Sequence, residues 1–232
     1  MMEWVNSVGQ VFYRVLIYDN RWQLFLNGLY VTLTLTALAL MVGLVIGFFI
    51  ALIRIVHDST GRLRIPNRIV RIYVSTVRGI PMVVQLMIMN FFILAASRNL
   101  MLVAVLSFGI NSGAYVSEIF RGGILSVEKG QSEAGRSLGL NYPQTMRKII
   151  MPQAIKNCLP ALGNEFITLL KETSISSFIA LQDLTRAGNI IRSRTFDPYP
   201  LFFVAAMYLI LVLILEFLVG RMERRLRRSD YR

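Results

Sequence analysis

A single cysteine, Cys158, leaves this chain without the means for an internal disulfide framework or a Cys-based metal site, and its single histidine, His57, stands in a charged loop as a surface residue without the partners of a metal site. Charge is scarce too: Asp, Glu, Lys and Arg make up 16% of 232 residues, too few for a soluble domain of this length. Acidic residues are the scarcer half, 13 against 25 Lys and Arg, giving a formal net charge of +12. No G-x-x-x-x-G-K-[ST] segment occurs, so the chain has no phosphate loop in which to cradle a nucleotide. What it has in excess is apolar surface, with 55% hydrophobic residues and a mean hydropathy of +0.56. Together these features imply an all-α polytopic membrane bundle.

A bilayer core about 30 Å thick needs about 20 apolar residues of helix. Five stretches qualify, at about 25–53, 66–95, 99–121, 149–171 and 198–220, the fourth apolar apart from Lys156, Glu165 and three amides. The opening segment, 1–23, lacks the basic start and continuous apolar core of a leader peptide. Val5, Val8, Phe12, Val15 and Leu16 follow helical spacing among polar residues, so an interfacial amphipathic helix is expected there. Residues 24–220 then form the membrane domain, and 221–232 a basic tail.

The basic excess could suit nucleic acid, but Lys and Arg gather at the ends of the apolar runs, so membrane lipid, not nucleic acid, is the expected partner. Seventeen of them fall in 54–71, 121–156 and 221–232, against seven in the alternate segments. That asymmetry places the N-terminus outside and the C-terminus in the cytoplasm.

Within the spans, Ala39, Gly43, Gly47 and Ala51 recur every four residues, a seam along which another helix can approach closely. Ser107, Asn111, Tyr115, Glu118 and Gly122 form a polar stripe on the third span. Gln153, Asn157, Asn164, Thr168 and Lys171, with Glu165 beside them, form another on the fourth. Polar groups at bilayer depth face protein or a wet cavity, so the stripes either hold the bundle together or enclose a polar path. A carboxylate at Glu165 needs a partner or water, which favours the path. Glu165, Asn164, Thr168, Asn111, Tyr115 and Glu118 are the candidate lining residues. Pro81 and Pro160 are expected to kink the helices that contain them.

Between the third and fourth spans lies QSEAGRSLGLNYPQTMRKIIMP, residues 131–152. Gln131–Leu138 reads as a short helix ended by Gly139. Asn141 and Gln144 have capping-box spacing, and Pro143 sits in the first turn of a second helix that runs into the fourth span. A folded, charged hairpin with no catalytic constellation suits a docking element. The pattern Glu133-Ala134-Gly135, then Gly139 after three residues, then Ile149-Ile150-Met151-Pro152 after nine more, resembles the EAA loop of ATP-binding-cassette importer permeases of type I. Gly135 stands where that pattern has its third alanine, and Met151 where it has leucine. The stretches NGLYVTLTL, RGIPMVVQL, NSGAYVSEIFRGGI, GNEFITLLKETS and DLTRAGNIIRSRTF are similar to the subfamily that imports polar amino acids, and the likeness covers nearly the whole chain.

The resemblance implies a permease in a bacterial inner membrane. Its partners would be a cytoplasmic ATPase dimer, a second permease subunit (a second copy or a related chain) and an extracellular or periplasmic amino acid-binding protein. It would bind no cofactor or metal itself, ATP and Mg being used by the ATPase. The hairpin 128–152 would couple the two, through Glu133, Ala134, Gly135, Gly139, Ile149 and Pro152. Three other readings remain open from the residues alone. A gradient-driven transporter would use Glu118, Glu165 or Glu216 as ion sites, but five spans give no inverted repeat. A membrane enzyme lacks a catalytic constellation, and a structural anchor would not need the polar stripes.

Overall fold

The computed structural model describes residue 11 and residues 13–228. The interfacial helix expected over 1–23 therefore falls largely outside the described residues. From Tyr13 the chain passes through a π turn and a 3-10 turn, and it enters its first long helix at Trp22.

Helix α1 (Trp22–Thr60) has 39 residues and closes on Gly61, whose φ of +67° is the left-handed turn that glycine adopts without strain. At 1.5 Å per residue it is about 58 Å long, so it outruns the bilayer and carries Arg54 beyond the apolar stretch. Its partner is α4 (Leu100–Leu125), capped by the Asn99 side chain, which accepts from the Leu102 N–H. The two helices interlock along the small-residue seam. A Cβ at Gly43 would sit 2.9 Å from Ser112 Cβ, and one at Gly47 would sit 2.5 Å from Val116 Cγ1. Only glycine allows this approach, and the gain is packing of Leu35, Ala39, Val103, Ala104 and Phe108 out of reach of solvent.

The span expected over 66–95 is not one helix. It divides into α2 (Arg64–Gly79) and α3 (Met82–Ile88), which continues through a π turn to Ile93, and the two parts are bent by 108°. The cause is local. Pro81 cannot donate, and it drives the preceding Ile80 into extended backbone, φ −104° and ψ 133°. Pro81 thus stands at a break between helices and not inside one. Gln85 secures the corner: its Nε2 donates to the carbonyls of Val77 and Ile80, both at 2.7 Å, satisfying acceptors that α2 leaves open at its end. Helix α2 is amphipathic, with Ile65, Ile69 and Ile72 exposed on one face and Asn67 and Val74 buried on another.

After α4 the chain forms α5 (Lys129–Ser137) and α6 (Tyr142–Thr145). A π turn over Met146–Ile150 joins α6 to α7 (Met151–Glu172), which contains Pro160. The wider turn ends at Ile150, and Pro152, which has no N–H to offer an α-helical ladder, follows in the first turn of α7. A 3-10 segment, Thr173–Ile179, leads to α8 (Leu184–Thr195). The N-cap of α8, Asp183, is fully buried and accepts from the N–H groups of Thr185 and Arg186. The last helix, α9 (Tyr199–Arg228), is apolar over most of its length, and the helix runs on into the basic tail expected from 221. Among the described residues three helices, α1, α4 and α9, are long and apolar enough to cross a membrane alone, and four spans result if the bent pair is one. Helix α7 has the length of a span, but Lys156, Glu165, Lys171 and Glu172 keep it from being one that lipid could surround.

Candidate functional site

Two assemblies of polar residues stand out, one on the connection between α4 and α7 and one inside the bundle. The connection is built almost wholly from local rules. Helix α5 ends in a Schellman motif: Gly139, at φ +77°, donates to Arg136 O at 2.9 Å, and Leu140 donates to Gly135 O at 3.1 Å. Two residues on, Asn141 and Gln144 form a reciprocal capping box, each side chain accepting from the other's backbone N–H at 3.0 Å. The two short helices are then held against each other at Gly135, where an added Cβ would meet Thr145 Cγ2 at 2.8 Å and Ile149 Cδ1 at 3.1 Å. Gly135 weakens α5 slightly by propensity, yet it is the buried contact that closes the hairpin. Ile149 packs at that contact and Pro152 opens α7, while Glu133 and Ala134 face outward with Leu138, which is 78% exposed.

The hairpin is also braced from the membrane side. Gln153 Nε2 donates to Ile149 O at 2.9 Å and reaches Gln131 Oε1 at 3.4 Å, and Asn157 Nδ2 donates to Ser126 Oγ at 2.8 Å. These two members of the α7 stripe thus tie α7 to the α4–α5 connection. The result is a rigid elbow with an exposed tip, fixed at both ends to long helices.

Inside the bundle, Glu165 of α7 accepts from Ser112 Oγ of α4 at 2.7 Å. Asn111, one residue earlier and buried, donates to Gln85 Oε1 at 3.3 Å, so it joins the corner clamp of the broken span. One helical turn further along α4, Tyr115 stacks under the Arg78 guanidinium, 5.0 Å from the ring centre. Glu118 pairs with Arg54 of α1 and accepts from Arg121 Nε at 3.0 Å. Tyr115 and Glu118 share a cavity of about 540 Å³ with Arg54, Arg71, Ser75 and Arg78.

The six residues expected to line one path are thus distributed. Tyr115 and Glu118 lie together in the arginine-lined cavity, Asn111 and Glu165 lie on the helix pairings above it, and Asn164 lines a separate cavity with Ser126, Asn157 and Pro160. Thr168 is exposed on α7. Sequence reasoning missed Ser112, Gln85, Arg54 and Arg78. The two arginines were visible only as basic residues at the ends of apolar runs, and nothing in the sequence tied Arg54 to a carboxylate 64 positions away. Among the described residues no group of three or more His, Cys, Asp or Glu side chains could hold a metal ion.

Residues 43–228 match the family described as binding-protein-dependent transport system inner membrane component. The chain is 38% identical over 209 residues to the glutamine transport system permease protein GlnP of Escherichia coli (strain K12), covering 88% of this chain and 93% of that one. It is 36% identical over 219 residues to the L-cystine transport system permease protein TcyB of Bacillus subtilis (strain 168), covering 92% and 91%. Its fold superposes with a TM-score of 0.80 on a chain of a solved amino acid ABC transporter crystallised with histidines, at 42% identity over 88% of this chain and 94% of that one. A chain of the MetNI methionine ABC transporter in inward-facing conformations shares the fold, with a TM-score of 0.76 at 21% identity over 90% and 98%.

Proposed function

The chain belongs to the binding-protein-dependent transport system inner membrane components, and from that premise we propose that it is the permease subunit of an ATP-binding-cassette importer that carries polar amino acids into the cytoplasm. The observation that carries the mechanism is the braced elbow between α4 and α7, with Glu133, Ala134 and Leu138 presented outward on a frame closed by the Gly135 contact and the Asn141–Gln144 capping box. A lever of this kind transmits displacement from a partner to the long helices, whereas a loose loop would absorb it.

In this reading a separate ATPase dimer grips the elbow, closes on ATP and Mg, and rocks the helices between outward and inward states. The permease supplies the path and no chemistry of its own. Elbow and basic tail face the cytoplasm and the N-terminus faces out, as the arginine and lysine distribution requires. Two permeases pair about an axis along the membrane normal, so that both elbows meet the ATPase dimer. A secreted binding protein delivers the amino acid to the outer side, where α8 exposes Arg192 and Arg194 with the 95% exposed Phe196 just beyond it. Glu165, a carboxylate that accepts from the neutral Ser112 hydroxyl, is suited to receive the substrate's ammonium group.

The test of the elbow is co-purification. Glu133→Lys reverses a charge on its exposed face, and Gly139→Pro removes the φ of +77° on which the Schellman turn depends. Both variants should insert in the membrane yet lose at least tenfold of the ATPase retained by the wild type, or hydrolyse ATP without moving solute. Full ATPase retention and full uptake in both would refute the docking role.

A further inference from the structure

The turn between α1 and α2 is tightly made for a surface connection. Leu63 takes a left-handed backbone, φ +58°, which a residue with a Cβ adopts only where its surroundings hold it. Three bonds do so: the Gly61 N–H donates to His57 O at 2.8 Å, His57 Nδ1 donates to Arg62 O at 2.8 Å, and the Asn67 N–H donates to Leu63 O at 2.9 Å. The turn fixes the direction in which α2 leaves, and the sequence divides the outer surface of α2 in two. Arg64 and Arg68, one helical turn apart, share one stripe, and Ile65, Ile69 and Ile72 form the next, each at least 60% exposed. Arg62, Arg64 and Arg68 are exposed and form no ion pair among the described residues, whereas Arg71, one turn further, faces Asp58 at 3.8 Å. The level of the turn follows from α1. Arg54 ends its uncharged stretch, and Thr60 lies six residues, about 9 Å, beyond. The headgroup layer beside the hydrocarbon core is about 5–8 Å deep, so the turn stands at its outer edge. Val74 packs with Ile50 of α1 and Ala114 of α4, so α2 slopes from that edge back towards the bundle core.

We propose that the outer face of α2 holds an anionic phospholipid of the inner leaflet, its phosphate between Arg64 and Arg68 and its acyl chains along Ile65, Ile69 and Ile72. Guanidinium groups present planar forks that match phosphate oxygens with paired N–H···O bonds. A zwitterionic headgroup would bring its own cation against the same arginines, so the site favours a lipid of net negative charge, and Arg62 adds to that preference. A free phosphate would satisfy the arginines and leave the isoleucines uncovered, whereas a lipid answers both stripes at once. The held lipid seats the first turns of α2. The other end of α2 carries the corner at Pro81 that Gln85 clamps, so the broken span is fixed at its start by lipid and at its bend by protein. The inference takes from the permease reading above only that the α1–α2 turn faces the cytoplasm.

The test is native mass spectrometry of the detergent-purified permease–ATPase complex, offered phosphatidylglycerol and phosphatidylcholine with identical acyl chains. The wild type should retain phosphatidylglycerol about tenfold over phosphatidylcholine. Arg64→Gln with Arg68→Gln should bring that ratio to within about twofold. Arg64→Lys with Arg68→Lys should keep part of it, since an ammonium group retains the charge without the fork. Arg224→Gln with Arg225→Gln, which removes two exposed arginines from α9, should leave the ratio unchanged. Equal retention of the two lipids by the wild type overturns the proposal without any variant having to fold. So does a ratio that survives in the Arg64→Gln, Arg68→Gln pair, or an equal fall in the Arg224→Gln, Arg225→Gln pair. Displacement of the bound lipid by glycerol 3-phosphate would make the site one for free phosphate and overturns the proposal too. ATP-driven uptake of a panel of radiolabelled polar amino acids, by the same complex in liposomes with its binding protein, separates the two levels. Absence of uptake in the wild type removes the permease reading, and equal lipid retention removes the lipid site alone.

Discussion

Gly123 on α4 and Cys158 on α7 are packed so closely that a Cβ on the glycine would lie 2.1 Å from the cysteine sulfur and 3.0 Å from Ala154 O. The lone thiol is thus a packing atom at a helix crossing. Gly123→Ala should lower the thermal midpoint of the purified complex by several degrees, since overpacking of this kind costs about 1–3 kcal/mol. Cys158→Ala in the same chain should recover part of the loss, because the sulfur is gone while Ala154 O remains. A double variant no more stable than Gly123→Ala would mean that the two residues do not share this contact. Glu165 is the residue-scale test of the path. Glu165→Gln keeps the shape and a hydrogen bond to Ser112 but removes the charge, so ATP-driven uptake should fall at least tenfold while the ATPase still co-purifies. Unchanged uptake would reduce Glu165 to a helix-packing group.

The elbow and the broken span show which elements could be read in advance. The elbow was legible because its signals are local. A glycine two residues before an Asn-x-x-Gln box fixes a turn and a cap whatever the rest of the chain does, and both occur at the expected positions. The bend at Pro81 was not, because a hydropathy window registers the length of an apolar stretch and carries no direction. The signal that could have revealed it was present. Ile65, Ile69 and Ile72 face one side of α2 and Arg64, Arg68 and Arg71 another, a pattern for a helix lying along an interface and not for one crossing it. The clamp on that corner was beyond reach, since Gln85 and Asn111 are 26 positions apart. At this scale the prediction concerns the cap. Asn141→Ala should cost about 1 kcal/mol of hairpin stability. Amide exchange in 142–150 should quicken several-fold, and ATP consumed per solute imported should rise. Unaltered exchange would mean that α6 is held by packing at Gly135 alone.

At the scale of the molecule, one long interlocked pair, α1 with α4, gives the bundle its axis, with α7 packed against α4 and α8 against α1. The small-residue seam marked the face of α1 along which another helix could approach closely, and the structure puts α4 there. The grouping of Arg54, Arg78, Tyr115 and Glu118 could not be foreseen, since it joins three helices through contacts that no local pattern encodes. The proposed function divides the labour along the same lines, with the path and the lever on this chain and the nucleotide chemistry on a partner ATPase. The measurement that tests this most directly is solute accumulation in liposomes holding the purified permease with its ATPase and an amino acid-binding protein outside. Of a panel of radiolabelled polar amino acids, at least one should accumulate, only when the ATPase and ATP are both present, and a proton or sodium gradient alone should drive none. Accumulation driven by such a gradient through this chain without the ATPase would contradict the account.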